Sequence, residues 1–162
     1  MQRTVLLTCL LSVCAVALGQ ADRTPTTLVM ARNVKRLERT WQYVGGWCTC
    51  PPTVPRQVWR DNAMWERTDK RGRREFVDVE IVRASSSDET ADYMGHFGGA
   101  KGSSCHVETY PLGDEGVLLT CPQSFKSQLN YRKGPFLIRV YGDSRTLVER
   151  FARYTLSVLP VT

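Results

Sequence analysis

The pattern of apolar and polar positions divides most of the chain into segments with helical or strand spacing. Between positions 28 and 44, apolar residues recur every three or four residues, which is the spacing of one helix face. These residues are Leu28, Ala31, Val34, Leu37, Trp41 and Val44. We predict an amphipathic helix here, ended by Gly45 and Gly46, because glycine readily adopts the left-handed backbone of helix ends. The proline-rich segment 47–55 is then expected to be irregular.

Two segments on either side of Gly72 are typical of a β-hairpin. Residues 63–68 and 74–83 are rich in strand-forming residues, and a charged stretch containing the glycine separates them. Alternate residues of a strand point to opposite faces of a sheet. We therefore expect Val77, Val79 and Ile81 to share the face that packs on the core.

The second half of the chain predicts a short helix, three strands and a final helix. Ser86 and Glu89 match a capping box, which marks the start of a helix. The three predicted strands are residues 115–121, 128–133 and 135–141. Apolar positions at helical spacing between Leu147 and Leu159 predict the final helix, with Ser144 near its N-cap.

The order of these elements indicates the fold class. Strands joined by tight turns must be antiparallel, because a parallel crossover needs a much longer connection. We predict an α+β fold, with an antiparallel sheet of about five strands and helices packed on one face. We predict that this fold forms a single domain over residues 28–162, preceded by a short flexible arm at 20–27.

The first residues resemble a secretory signal peptide. Arg3 precedes an apolar run at 5–18, and small residues surround Gly19. Cleavage after position 19 of the 162-residue chain would leave 143 residues. No later segment approaches the roughly 20 apolar residues needed to span a bilayer. We expect a secreted or periplasmic protein with no membrane span.

Export predicts that the remaining cysteines form disulfides, because an oxidising compartment favours them over free thiols. These cysteines are Cys48, Cys50, Cys105 and Cys121. Cys48 and Cys50 are too close in sequence to bridge each other without strain, so each is expected to pair with Cys105 or Cys121. Both connectivities remain open. The alternatives are a zinc or copper(I) site that includes His106, and a redox-active Cys-x-Cys pair.

The distribution of charge favours an anionic partner. The chain carries 22 basic and 16 acidic residues, a net charge of +6, and the leader accounts for one of the basic residues. The densest cluster of cations is formed by Arg67, Lys70, Arg71, Arg73 and Arg74, with Trp59 and Trp65 on its flanks. Cations of this kind can hold phosphates or sulfated sugars, and exposed aromatic rings beside them strengthen such binding. The alternative is a solvated turn, with the tryptophans in the core.

One short motif resembles a known family. Residues Gln42–Gly46 spell the pattern Gln-x-Val-x-Gly, which is similar to the pattern on the first hairpin loop of the cystatin family of cysteine-protease inhibitors. Export, size and a helix before a sheet are also similar to that family. The resemblance implies an inhibitor that uses these five residues. Here they directly follow the predicted first helix, whereas the family pattern lies well after one.

Few residues have the arrangement that catalysis requires. No nucleophile motif, phosphate-binding glycine loop or metal-binding helix is present in the sequence. A hydrolase or redox enzyme centred on Cys105 and His106 remains an alternative. Our leading hypothesis is an exported, non-enzymatic binding protein without a cofactor, which recognises a protein or an anionic polymer through the basic hairpin. The sequence leaves the oligomeric state open.

Overall fold

The computed structural model describes residues 39–48, 59–97, 105–122 and 126–159, together with Thr27, Met30, Asn33 and Leu37. The predicted signal peptide, residues 20–26 of the predicted arm and Cys50 lie outside these residues.

The described residues form one antiparallel sheet of seven strands in the order β1-β2-β3-β7-β6-β5-β4. The strands are β1 (Gln42–Cys48), β2 (Trp59–Thr68), β3 (Arg74–Arg83), β4 (His106–Thr109), β5 (Glu115–Cys121), β6 (Lys126–Lys133) and β7 (Phe136–Gly142). Two helices are described in full, α1 (Ser87–Phe97) and α2 (Arg145–Val158). The predicted sheet of about five strands is wrong, because the prediction omitted the two edge strands β1 and β4.

The end of the predicted first helix is also wrong. Thr27, Met30 and Asn33 have helical backbone, but β1 begins at Gln42 and pairs with β2. The first two residues of segment 47–55, which we expected to be irregular, also belong to β1. Short apolar runs fit both helical and strand spacing, so pairing with a neighbouring strand decides between them. Gly46 permits this pairing, since a Cβ atom there would lie 2.2 Å from the carbonyl oxygen of Asn62.

One face of the sheet, which we call the core face, packs against α2. Val77, Val79 and Ile81 are fully buried there, as predicted from their alternation. Phe151 of α2 belongs to the same buried cluster, and its ring centroid lies 5.5 Å from that of Trp65. The predicted N-cap is confirmed, since the Ser144 side chain accepts a hydrogen bond from the backbone N–H of the third residue after it. This face contains most of the hydrophobic core.

The opposite face, which we call the outer face, is more polar and is covered in part by α1. Helix α1 contacts β6 and β7, and its Met94 is buried. The Thr90 hydroxyl lies 2.8 Å from the carbonyl oxygen of Gly134, which joins the helix to the β6–β7 turn. The two helices therefore lie on opposite faces, and the prediction that helices pack on one face is wrong. The sequence showed that both helices have an apolar side but not which face each would cover.

The predicted disulfide pairing is corrected by a bond between Cys105 and Cys121. Cys121 is the last residue of β5, and Cys105 directly precedes β4. Their positions extend the register of these strands, in which His106 pairs with Thr120. Cys48 is also disulfide-bonded, so neither predicted connectivity, which joined it to Cys105 or Cys121, is formed. The pairing depends on β4, a strand of four residues that the sequence did not reveal.

Candidate functional site

The predicted hairpin is confirmed, and its tip extends beyond the neighbouring strands. Strands β2 and β3 pair without interruption from Trp59 and Arg83 to Thr68 and Arg74. The register of β1 with β2 stops at Glu66, and that of β7 with β3 starts at Val77. We call residues 67–75 the hairpin tip, and they are free of strand partners on both sides of the hairpin.

Asp69 holds the turn at the hairpin tip in one conformation. Its Oδ1 accepts hydrogen bonds from the backbone N–H groups of Arg71 and Arg73, both at 2.8 Å. The Arg73 backbone donor is the main reason that the pKa of Asp69 is below its usual value. Gly72 has a φ of 76°, a conformation that most other residues avoid. The turn is therefore organised by its own residues.

Ion pairs neutralise part of the positive charge of the hairpin tip. Three of the five predicted binding cations face a carboxylate. Arg67 Nε lies 2.7 Å from Glu75, Arg73 Nη2 2.9 Å from Asp69, and Arg74 Nε 3.4 Å from Glu66. Lys70 and Arg71 are exposed and form no ion pair with another residue that the structure describes. They are the two cations of the tip whose charge is not offset by an ion pair with a described residue.

The two tryptophans of the predicted binding set lie away from the turn. Trp65 is fully buried in the core. Trp59 packs against Phe136 and pairs with Arg83 at the far end of the hairpin. Nine residues of strand, about 3.3 Å each, separate Trp59 from the tip end of β2. The structure therefore does not bring the predicted aromatic residues and the cations of the turn into one site.

The segment that resembles the cystatin pattern forms most of the edge strand β1 instead of a loop between strands. Gly46 is the glycine of the motif, and it lies so close to β2 that a side chain would not fit. Strand pairing therefore explains the glycine at this position. Tyr43 and Val44 are exposed. Protease inhibition by this segment stays a prediction, and papain inhibition by the purified protein would test it.

Two residues of the enzymatic alternative, Cys105 and His106, lie beside each other at the start of the edge strand β4. Cys105 is in a disulfide and has no thiolate, the form in which a cysteine acts as a nucleophile or metal ligand. His106 lies on the edge strand β4, with its Nε2 atom 3.8 Å from Glu108. Within the described ranges, no group of three or more His, Cys, Asp or Glu residues is placed to hold a metal ion.

A cavity of about 190 Å³ lies between α1 and the outer face of the sheet. We call it the outer-face cavity. Its walls include Val82 of β3, Leu137 of β7 and the partly exposed Tyr93 of α1. None of these residues was predicted as part of a site. The cavity exists because α1 packs over the β6–β7 end of this face.

Polar groups line the outer-face cavity beside these apolar walls. Asn130 is 1% exposed, and its Oδ1 accepts a hydrogen bond of 2.9 Å from Gln128 Nε2. Asn130 Nδ2 is buried and has no hydrogen-bond partner. Arg139 is the register partner of Asn130 and donates a hydrogen bond to Glu80, which also faces Arg60 at 3.8 Å. An unpaired buried donor therefore lies beside two arginines and one carboxylate.

Asp78 lies on the same face, next to this group of charges. Burial is the main reason that its pKa is raised, and a hydrogen bond of 3.0 Å from Asn62 Nδ2 opposes this effect. The only sequence signal for this region was the set of polar residues that alternate with Val79, Ile81, Leu129 and Ile138. Alternation marks the outer face but does not show where a helix covers it.

Searches against protein-family models, curated proteins and solved structures find no match to this chain. Among the described helices, none has the length and apolar composition needed to cross a membrane.

Proposed function

We propose that this chain is an exported, non-enzymatic binding protein that contacts an anionic polymer through the hairpin tip. The observation that supports this proposal is the turn held by Asp69, which fixes the backbone from which Lys70 and Arg71 extend beyond the neighbouring strands. A preorganised site loses less conformational entropy on binding. Five cations and three carboxylates between Glu66 and Glu75 leave a net positive charge on the tip.

The proposal makes binding sensitive to salt. Each contact between a cation and a phosphate or sulfate releases bound counterions, so the affinity falls as the salt concentration rises. Replacing both Lys70 and Arg71 with glutamine should lower the salt concentration at which heparin releases the protein. With duplex DNA, the slope of log affinity against log salt should become shallower by about 2, or close to one unit per lost contact.

A matched control distinguishes the effect of the cations at the hairpin tip from the effect of the net charge of the protein. Arg83 and Lys133 lie at the opposite end of the sheet, and replacing both with glutamine removes the same two positive charges. This control should elute from heparin close to the unmodified protein. Equal losses of retention in both double variants would show that net charge alone controls binding and would refute the proposed role of the tip.

A further inference from the structure

We infer that the outer-face cavity is a binding site for a small carboxylic acid with an apolar body. This inference does not depend on the proposed role of the hairpin tip, because the two sites share no residue. The starting point is Asn130, whose buried Nδ2 has no hydrogen-bond partner. Leaving a buried donor unpaired costs about 1–3 kcal/mol, so such a group needs an explanation.

The hydrogen bond from Gln128 Nε2 orients the side chain of Asn130. Since Oδ1 accepts this bond, the Nδ2 group is the part of the amide that has no hydrogen-bond partner. Asn130 lines the outer-face cavity. A ligand oxygen placed there would satisfy the donor.

Arg139 provides the charge that selects an anionic oxygen. It is directly opposite Asn130 in the register of β6 and β7, so both side chains are on the outer face. Its Nη2 atom donates a hydrogen bond to Glu80, and its charge also acts on Asp78, but its other guanidinium nitrogens form no hydrogen bond with the residues that the structure describes. A carboxylate has two acceptor oxygens, one for the amide of Asn130 and one for this guanidinium.

The walls and the volume of the cavity define the rest of the ligand. Val82, Leu137 and the ring of Tyr93 give an apolar surface beside the polar groups. The volume of about 190 Å³ is smaller than the roughly 300–1,000 Å³ of sites for drug-sized ligands. These features fit a compact acid with a flat or short apolar body. Benzoate has this chemistry and serves as the probe.

Titration of the oxidised full-length protein with benzoate, followed by NMR, tests the inference. We expect saturable shifts of the Asn130 side-chain amide and of residues around Tyr93 and Leu137. Benzamide has the same shape without the charge and should bind at least about ten-fold more weakly, since a charged hydrogen bond is worth more than a neutral one. Equal binding of both compounds, or no saturable shift at the cavity, would overturn the assignment.

Two variants and one control locate the site. Arg139→Gln should weaken benzoate binding by about ten-fold or more. Arg83→Gln removes the same charge from the same sheet outside the cavity, and it should leave the affinity within about two-fold. Asn130→Asp keeps an acceptor for Gln128 and removes the donor, so it should also weaken binding. If this buried variant fails to fold, the Arg139→Gln variant still tests the inference, because Arg139 is exposed. An unchanged benzoate affinity in Arg139→Gln would contradict the inference.

Discussion

The two faces of the sheet are made from alternate residues of the same strands, but they have different roles. In β3, Val77, Val79 and Ile81 are fully buried against the core, whereas Asp78 and Glu80 lie on the outer face. The core face is covered by α2, and the outer face is covered only in part by the shorter α1. The difference shows how one strand can supply core packing with one set of residues and a polar surface with the other.

The largest expected effect on stability comes from the removal of a side chain that packs on the core face. Phe151→Ala should lower the free energy of unfolding by about 3–5 kcal/mol, because it leaves a cavity between α2 and the sheet. Its ring packs edge-on against Trp41 and close to Trp65. Urea unfolding at neutral pH measures the change.

Met64 of β2 represents the outer face in this comparison, where it is 36% exposed. Met64→Ala should lower the free energy of unfolding by less than about 1 kcal/mol, since the side chain is only partly removed from water. Similar losses for Phe151→Ala and Met64→Ala would mean that the two faces contribute equally to stability.

An effect smaller than that of Phe151→Ala is expected for Asp114, which directly precedes β5 and whose side chain contacts the β6–β7 turn. Asp114 accepts hydrogen bonds from Lys133 Nζ at 2.8 Å and from the backbone N–H of Gly134 at 2.7 Å, and these donors lower its pKa. Because the pKa is lower in the folded state, the ionised group stabilises the fold near neutral pH. This contribution is lost as the pH falls through the folded-state pKa. Asp114→Asn should therefore cost about 1 kcal/mol at pH 7.

Chemical unfolding at several pH values measures this contribution. The stability difference between Asp114→Asn and the unmodified protein should shrink as the pH is lowered below the usual range of an aspartate. A difference that stays constant with pH would indicate that ionisation of Asp114 does not contribute.

The smallest expected effect has the opposite sign and concerns the outer face. Burial raises the pKa of Asp78, so its ionised form opposes folding at neutral pH. Stability from this group is highest below its unfolded-state pKa and falls as the pH rises through the folded-state pKa. Asp78→Asn should raise the free energy of unfolding at pH 7 by less than about 1 kcal/mol, because partial exposure screens the charge.

Asp114→Asn is the matched control for Asp78→Asn, since both remove one negative charge. The same urea titrations at pH 7 and at acidic pH should show opposite signs for the two variants at pH 7 and little difference at low pH. A loss of stability in both variants would show that the Asn62 hydrogen bond outweighs the burial of Asp78.

The elements with strong local signals were predicted well. The β2–β3 hairpin, the strands β5 to β7 and the N-cap at Ser144 follow from alternation, turn residues and capping chemistry. In contrast, β1 and β4 have weak patterns. β1 contains two glycines and follows a helical period, and β4 has only four residues. Edge strands of this kind are defined by their partners, so their own residues do not reveal them.

The candidate sites show the same division. The cations of the hairpin tip are close together in sequence, so the sequence alone predicts their cluster. The carboxylates that pair with Arg67 and Arg74 were not predicted as partners, because they lie across the hairpin. The outer-face cavity was not predicted at all, since Asn130, Arg139 and Tyr93 come from three separate elements.

The sequence by itself determined the local elements with strong periodicity, the residues of the core face in β3, and the charge of the hairpin tip. These depend on interactions between residues close in the chain or on simple alternation. The tertiary structure decided the number of strands, the bond between Cys105 and Cys121, and the placement of α1 and α2 on opposite faces. These features depend on contacts between distant segments. The apolar pattern alone is compatible with several pairings of these segments, and packing of the whole core selects one of them.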